Sequence, residues 1–377
     1  MDNFTHSLFG ATLARTRLAH AGRGTTATLI LASNAPDIDI LASAGGGLKY
    51  LEWHRGMTHG PLGLFGLAIL SAAIVRACLK MWDRHLEDVM PGRRDAAEAL
   101  APFPVLVAVA CVGIAFHVLM DLPTSYGIRF FSPFTWRWYA VDWMPIIDIY
   151  LWIALGSGLY IGRLSQEARR RNATIVLTFV AAVYGVRAFM HREAIDLAPQ
   201  LFGQTLPAPC DAPAGVEPIV DSWPKAPPSP PADPAHRCLV EIAALPTFMS
   251  PFDWRIVAQT SNSYEIHDVN VLDQRLRNSN GELHSSQRLS LRYPNIWTPE
   301  VMRAASTPGG RVFLGFSRFP AARTARDSSG AAVVRFTDVR FVGGPALNDQ
   351  PIRRVQPFTL TVRFDATGNV VSEKLGQ

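Results

Sequence analysis

The hydrophobic positions of the chain are concentrated in four long, mostly apolar stretches in its first half. Each stretch is close to the roughly 20 residues that a helix needs to cross the hydrocarbon core of a bilayer. The stretches comprise residues 62–79, 101–120, 145–162 and 173–190. Two shorter segments, residues 3–20 and 25–36, are rich in small residues, and we expect them to form a hairpin packed against the longer helices. The pattern predicts a polytopic transmembrane helical bundle.

The second half of the chain has a different pattern. Residues 196–237 include a proline-dense run that predicts an extended linker. Beyond it, "RVFLGFSRFP", "AAVVRFTDVRFVGG" and "PFTLTVRFDATGNVVSEKL" alternate apolar and polar residues, which is typical of strands, and the last predicts a hairpin. We therefore predict a mainly α protein with a helical metal-site domain over residues 1–195 and a C-terminal, β-rich, extracytoplasmic domain over 238–377.

The distribution of positive charge along the chain predicts how the protein is oriented in the membrane. The net charge is +5, but the basic residues fall in alternate turns between the apolar stretches. The rich turns hold Arg15, Arg17, Arg23, Arg76, Lys80, Arg84, Arg93, Arg94, Arg163, Arg169, Arg170 and Arg171. Loops 43–59 and 122–144 hold few, so the positive-inside bias predicts that these loops and the β-rich domain face outward. There is no basic helix or aromatic-basic patch, and no nucleic-acid partner is expected.

Seven residues with metal-ligand side chains are predicted to meet at the outward level. They are His6, Asp37, Asp39, His54, His59, His117 and Asp121. Asp148 lies at a similar predicted depth. His117 and Asp121 are four residues apart, so on a helix they share one face and can reach a common ion. Ionisable residues within spanning segments usually serve a pathway or a site, because burying a charge in hydrocarbon is costly.

The residue types favour particular ions. Histidine nitrogen and carboxylate oxygen suit Zn²⁺, and also Mn²⁺ or Fe²⁺, and the lack of cysteine among the seven disfavours a closed structural zinc site. Asp121 is the candidate bridge between two ions, and we expect Asp121, His117 and Asp39 to serve catalysis. Asp37 and Asp39 follow Pro36, so a capped turn is the alternative for them, and which of them is a ligand stays open.

Two arginines of the outward loops are candidates for binding a substrate phosphate. Arg55 and Arg129 are among the few cations there, and a guanidinium can bind phosphate through two parallel hydrogen bonds. Their alternative role is to anchor the chain at the membrane interface.

Four separated motifs resemble one known family. "MDNFTHSLFGATLAR", "SNAPDIDIL", "WHRGMTHG" and "HVLMDLPTSYGIRFFSPF" look like the inner-membrane metal-dependent hydrolases of the YdjM and YfhP kind, also labelled LexA-binding, inner-membrane-associated hydrolases. The resemblance covers roughly the first 160 residues and implies a protein of the bacterial inner membrane. With the arginine placement, we expect a multi-pass protein with its C-terminal domain in the periplasm.

A more distant resemblance is to the zinc-dependent phospholipase C and single-strand nuclease group. It would match His6, then Asp37 or Asp39, then His54 or His59, then His117 with Asp121 to ligands of that group. Residues 122–160 contain no histidine for a third metal, so one or two ions are expected.

Cys210 and Cys238 flank the proline-dense run and are expected to form a disulfide outside the cytoplasm. Cys78 and Cys111 lie in spans and are expected to be small apolar fillers.

Two functions from different classes are consistent with these residues. One is an outward-facing metal-dependent hydrolase in the bilayer, acting on a phospholipid or another phosphoester. The other is a non-enzymatic membrane protein, in which a metal braces the bundle and the β-rich domain binds a partner.

Overall fold

The computed structural model describes most of the chain. The described residues are 1–90, 99–163, 165–202, 207–210, 219–225, 237–273, 291–328, 330–342 and 358–376. Much of the predicted linker, together with Arg93 and Arg94, lies outside them. The chain divides into two compact units, Met1–Leu41 with Arg55–Val186, and Ala42–His54 with Arg187–Gln377. The domain boundaries expected from the sequence, after residues 195 and 237, stay predictions.

Helices lie both before the β-rich region and within it. They are α1 Asn3–Leu13, α2 Thr25–Ala32, α3 Gly47–Trp53, α4 Pro61–Val89, α5 Phe103–Asp121, α6 Ile149–Ile161, α7 Gln166–Phe202, α8 Pro299–Ser306 and α9 Pro308–Phe316. Within the described residues, α4, α5 and α7 are long and apolar enough to cross a membrane. Helix α6 has 13 residues and is shorter than the predicted span 145–162, because Asp148 caps it by accepting from the amides of Tyr150 and Leu151.

The two N-terminal helices of the first unit are shorter than predicted. Asp2 begins α1 by accepting a hydrogen bond from Thr5 N at 3.0 Å, but the helix ends at Leu13 rather than near residue 20. Helix α2 ends at Ala32, and a 3₁₀ segment, Ala35–Gly45, follows. Both helices pack against their neighbours as expected, α1 on α2 and α2 on α5.

Small residues bring these helices close together. A Cβ added to Gly10 would lie 2.9 Å from Ser33 Oγ, and one added to Gly113 would lie 3.3 Å from the same atom. The close approach of α1 and α5 to the end of α2 fixes Ser33, whose carbonyl contributes to the site described below.

The second unit confirms the predicted β-rich C-terminal region. One antiparallel sheet has the order β3-β4-β5-β6 and the other has the order β10-β9-β8-β7. The strands are β1 Trp138–Ala140, in the first unit, and β2 Asp221–Trp223, β3 Leu239–Pro246, β4 Asp253–Thr260, β5 Ser263–Asn270, β6 Leu291–Pro294, β7 Pro320–Arg326, β8 Ala332–Asp338, β9 Thr359–Phe364 and β10 Val370–Leu375. Strands β9 and β10 form the predicted terminal hairpin, with Gly368 at a φ of 89° in its turn.

One predicted strand is wrong. The segment "RVFLGF" lies in α9, not in a strand, because Thr307 caps the helix through Gly310 N and Pro308 occupies its first turn. Phe313 and Phe316, three residues apart, both bury, which is the helical period rather than the strand period.

The predicted disulfide between Cys210 and Cys238 is present. It joins the described segment 207–210 to the start of β3, where Cys210 N also donates to Leu239 O at 2.8 Å. Cys78 and Cys111 are free thiols; Cys78 is exposed on α4, and Cys111 is half-buried on α5.

Candidate metal centre

Four of the seven predicted ligands converge in the first unit. Asp37, His59, His117 and Asp121 each offer one ligand atom, and these atoms all lie within 4.8 Å of one another. They come from the 3₁₀ segment after α2, the turn before α4, and the last two turns of α5. His59 and His117 are each 1% exposed and Asp121 is fully buried, whereas the Asp37 side chain is 12% exposed, so it is the member of the group nearest to solvent.

The distances fit a single ion. His59 Nε2 and His117 Nε2 are 3.2 Å apart, and Asp121 Oδ2 lies 3.4 and 3.5 Å from them. Asp37 Oδ1 lies 3.8 Å from His59 Nε2 and 3.7 Å from His117 Nε2. A tetrahedral site with bonds of about 2.0 Å has ligand atoms about 3.3 Å apart. The five distances are therefore close to those of a tetrahedral site.

Hydrogen bonds on the far side of each ring fix which nitrogen faces the group. His117 Nδ1 lies 2.7 Å from Ser33 O, and because a carbonyl only accepts, Nδ1 carries the proton. Thr58 Oγ1 lies 3.1 Å from His59 Nδ1 and 3.3 Å from Asp39 Oδ2, so Thr58 accepts from His59 when it donates to Asp39. When both rings are neutral, these bonds leave bare Nε2 atoms that face each other, an arrangement that a cation between them would stabilise.

Asp37 and Asp39 have different positions, which separates the two candidates that the sequence left open. Asp37 Oδ1 faces both Nε2 atoms. Asp39 Oδ2 accepts from Arg55 N at 2.6 Å and lies 3.7 Å from His59 Nδ1, on the outer side of that ring. Asp37 therefore has the position of a ligand, and Asp39 has that of a residue that orients one.

The other oxygen of Asp121 faces the start of α1. His6 Nε2 lies 3.3 Å from Asp121 Oδ1, and the His6 ring stacks on His117 with centroids 3.9 Å apart. The Met1 amino group is in ion-pair contact with the same oxygen. His6 thus lies next to the four-residue group, on the side where Asp121 would bridge to a second ion.

The buried polar atoms of the group test whether a cation fits. Within the described part of the chain, His6 Nδ1 and Nε2, Asp37 Oδ2 and both carboxylate oxygens of Asp121 are buried and form no hydrogen bond. Burial also raises the pKa of Asp37 to about 6, against the lowering effect of Arg55. A divalent cation would offset the desolvation cost of these carboxylates, so the residues present fit a metal ion.

Arg55 lies inside the group. Its Nη2 is 3.1 Å from Asp121 Oδ2, and Nη1 donates to Thr124 Oγ1 at 3.3 Å and to Gly127 O at 3.1 Å. The backbone of Arg55 has a φ of 49°, in the left-handed region that is uncommon for a residue other than glycine. That conformation is held because its N–H donates to Asp39 and its carbonyl accepts from Arg129 N at 2.9 Å.

Arg129 has a different environment. Its guanidinium lies over the rings of Trp138 and Trp136, 4.5 and 5.3 Å from their centroids. The side chain is buried against aromatic faces. Its contact with the site is through its backbone bond to Arg55, and its binding of a substrate phosphate stays a prediction.

His54 is not among the four residues that the structure groups. It belongs to the second unit, ends α3 and pairs with Tyr50 OH through Nε2 at 3.0 Å. Asp148 is the N-cap of α6. The role of His54 as a ligand stays a prediction.

The sequence reasoning missed Ser33 and Thr58 as supports of the two histidines, and Thr124 and Gly127 as partners of Arg55. Thr58 is adjacent to His59 in "GMTHG", which is a signal that could have been used. Ser33 O and Gly127 O are backbone groups, which leave no trace in residue type.

Together, the apolar helices and the buried group of two histidines and two aspartates define a membrane protein with a site that could hold a metal ion. The family model for the YdjM inner membrane protein matches residues 1–194, and the chain belongs to that family. No curated protein and no solved structure matched the chain. The resemblance to the phospholipase C and nuclease group stays a prediction.

Proposed function

We propose that the protein is a membrane-embedded, metal-dependent hydrolase of a phosphoester or carboxylic ester, with Asp37, His59, His117 and Asp121 as ligands. The observation that carries the proposal is the meeting of two bare Nε2 atoms and two carboxylates at one point beside a buried arginine. When bound, a divalent transition metal polarises an ester oxygen and lowers the pKa of water. Zinc suits these ligands best, and manganese or iron suits them too.

The chain's own residues supply the remaining roles. Arg55, fixed by Thr124 and Gly127, presents a planar fork that suits two oxygens of a phosphate. Asp39 and Ser33 hold the histidine rings in orientation. Asp121, shared between the four-residue group and His6, would be the carboxylate that bridges two ions if a second ion binds.

The position of the site favours a substrate that is partly in the bilayer. His117 and Asp121 end a helix that is long and apolar enough to span, and His59 immediately precedes another. A phospholipid bound with its phosphoester at these helix ends would have its acyl chains beside the apolar surfaces of the helices. We therefore propose a phospholipid or another lipid phosphoester as the substrate class.

We further propose a multi-pass arrangement in the inner membrane with the site and the β-rich region on the periplasmic side. The arginine distribution and the Cys210–Cys238 disulfide support it. A reporter that is active only in the periplasm, fused after Gln377, should be active. Activity of a cytoplasm-only reporter at that position would refute this orientation.

The hydrolase proposal is tested with full-length protein, loaded with Zn²⁺ or Mn²⁺ and assayed against phospholipids, phosphomonoesters and peptides. Arg55→Lys keeps the charge but loses the fork, so kcat/KM should fall by about 100-fold while the metal content stays that of the parent. Arg137→Lys, on an exposed arginine of the other predicted outward loop, is the control and should keep full activity.

The absence of hydrolysis across the panel by metal-loaded parent protein would reject the enzyme. Full activity in Arg55→Lys would reject the role of Arg55 in binding the phosphate. A parent that binds metal, loses thermal stability when the metal is removed, and hydrolyses nothing would instead support the alternative, a structural metal that braces the bundle.

A further inference from the structure

A second candidate site lies in the first unit, at the ends of the helices opposite the metal centre. A cavity of about 1050 Å³ is lined by the C-terminal end of α1, the turn before α2, the end of α6 and the start of α7. The metal centre, in contrast, adjoins the N-terminal end of α1 through His6. The two sites are therefore separated by the length of α1.

The cavity lining is strongly basic. Five arginines and one glutamate are among its lining residues: Arg15, Arg23, Arg169, Arg170, Arg171 and Glu167. Arg23 is paired with Asp83, and Arg15 donates to the carbonyl of Leu159 at the end of α6. Partial burial lowers the pKa of Arg15, and the neighbouring Arg169 guanidinium lowers it further.

The first turn of α2 adds to this field. Gly24, Thr25 and Thr26 line the cavity, and Gly24 as N-cap provides no side chain to accept from the first amides. The N-terminus of a helix carries partial positive charge and free N–H groups, which favour an anion. The turn lies beside guanidiniums that arrive from α1 and α7, so three elements direct positive charge at one cavity.

Arginine-rich turns alone would be explained by the positive-inside bias, which requires no cavity and no convergence. Here two turns that are far apart in the sequence, residues 15–23 and 169–171, form the walls of one cavity. A cavity of this size is about as large as the biggest common small-molecule sites, so it exceeds what a single inorganic anion needs. Basic pockets between helices on the cytoplasmic side are the setting in which anionic lipid headgroups bind.

We infer that this cavity binds a phosphate group, carried by an anionic phospholipid headgroup or by a soluble phosphate compound. Guanidiniums that bind phosphate bidentately from α7, together with Arg15 from the end of α1, would hold the anion. The inference is independent of the hydrolase proposal, because none of its residues belongs to the metal centre.

The test uses delipidated full-length protein in a neutral detergent. Phosphatidylglycerol, phosphatidylcholine, inorganic phosphate or glycerol phosphate is added, and Tm and lipid adducts in native mass spectrometry are measured. We expect phosphatidylglycerol to raise Tm by about 3 °C more than phosphatidylcholine does. Equal stabilisation by millimolar inorganic phosphate or glycerol phosphate, without a lipid adduct, would identify the soluble compound as the source.

The variant Arg169→Gln with Arg171→Gln should abolish this difference. Its matched control is Arg163→Gln with Arg17→Gln, which removes the same number of positive charges from the two basic turns at residues outside the lining. Arg169 and Arg171 are exposed, and Arg169→Gln alone gives a milder second variant. Equal loss in the control would overturn the site in favour of diffuse surface charge. Equal Tm with both lipids and no effect of either soluble phosphate would also overturn it.

Discussion

Two buried aspartates, one in each unit, differ in the hydrogen bonds that their carboxylates accept. In the β-rich region, fully buried Asp338 accepts from Arg340 N at 3.0 Å, from Arg340 Nε at 3.1 Å and from Arg340 Nη2 at 2.7 Å. In the helical unit, Asp121 is equally buried, yet neither of its oxygens accepts a hydrogen bond within the described residues. Its neighbours are instead Arg55 and the Met1 amino group, both in ion-pair range, and three histidines.

The difference separates a structural ion pair from a binding site. Asp338 has donors for its lone pairs, so its burial is compensated within the fold. Asp121 faces His59 and His117 nitrogens that are themselves acceptors, and acceptors stabilise one another only through a proton or a metal ion. A buried carboxylate that meets two histidine nitrogens, and accepts no hydrogen bond within the described residues, is the feature that marks this part of the bundle as a candidate metal site.

The largest expected effect is that Asp338→Asn and Asp121→Asn change different properties of the protein, the first its stability and the second its metal content. Breaking the buried pair with Arg340 should lower the free energy of unfolding by about 3 to 5 kcal/mol and leave the metal content unchanged. Asp121→Asn should lose the metal, because the bridging charge is removed, while Asp338 and its region stay intact. Guanidinium denaturation and elemental analysis of the same samples measure both quantities.

If Asp121→Asn destabilised the protein as much as Asp338→Asn does and kept its metal, the two carboxylates would have the same structural role. The contrast between the two units would then be wrong.

A second expected effect is that a chelator destabilises the helical unit, whereas a reductant destabilises the β-rich unit. A metal at 100 times its Kd stabilises the protein that binds it by about 2.7 kcal/mol, which a chelator should remove. Reducing Cys210–Cys238, separated by 28 residues, should cost about 3 to 4 kcal/mol by loop entropy. Hydrogen exchange should place the chelator effect in α1, α5 and the turn before α4, and the reductant effect near β3.

Chelation that loosens β3 to the same extent as α5 would contradict this separation. The double variant Cys210→Ser with Cys238→Ser is the control, and it should respond to the chelator but not to the reductant.

A smaller effect should follow from removing the support of one histidine. Asp39→Asn weakens the orientation of His59 without touching the ion, so the metal Kd should rise by about 10 to 100-fold. Asp37→Asn removes a ligand and should cost more. Asp88→Asn, exposed at the end of α4, is the control and should bind as the parent does. Metal titration, followed by competition with a chromogenic chelator, measures the metal Kd of all three variants. If Asp39→Asn bound metal more weakly than Asp37→Asn does, the assigned roles would be reversed.

The parts of the fold that could be predicted from sequence are those with a strong period or a hard constraint. The apolar stretches gave α4, α5 and α7, and the four-residue spacing placed His117 and Asp121 on one face of α5. The alternation in "RVFLGF" predicts a strand, whereas Thr307 and Pro308 are a helix start signal, and the segment lies in helix α9.

The choice between Asp37 and Asp39 could not be made from sequence. Both lie in the 3₁₀ segment, where successive residues turn by about 120°, so side chains two apart point in different directions. The sequence pattern predicts a short helical segment over residues 25–36 and does not predict the 3₁₀ segment that follows α2. His54 likewise follows the end of α3, whose packing on α9 depends on residues more than 250 positions away, and no local pattern reports that contact.

The most direct test of the metal centre is the metal content of purified full-length parent protein and His117→Ala, measured by elemental mass spectrometry. Ser33 orients His117 toward the group, so this ring offers one of the two Nε2 atoms on which the assignment rests. The account predicts at least one divalent transition metal per parent chain and a loss of about tenfold or more in His117→Ala, with the folded bundle retained. A parent without metal after loading with Zn²⁺ and Mn²⁺, or a His117→Ala protein with the full content, would contradict it.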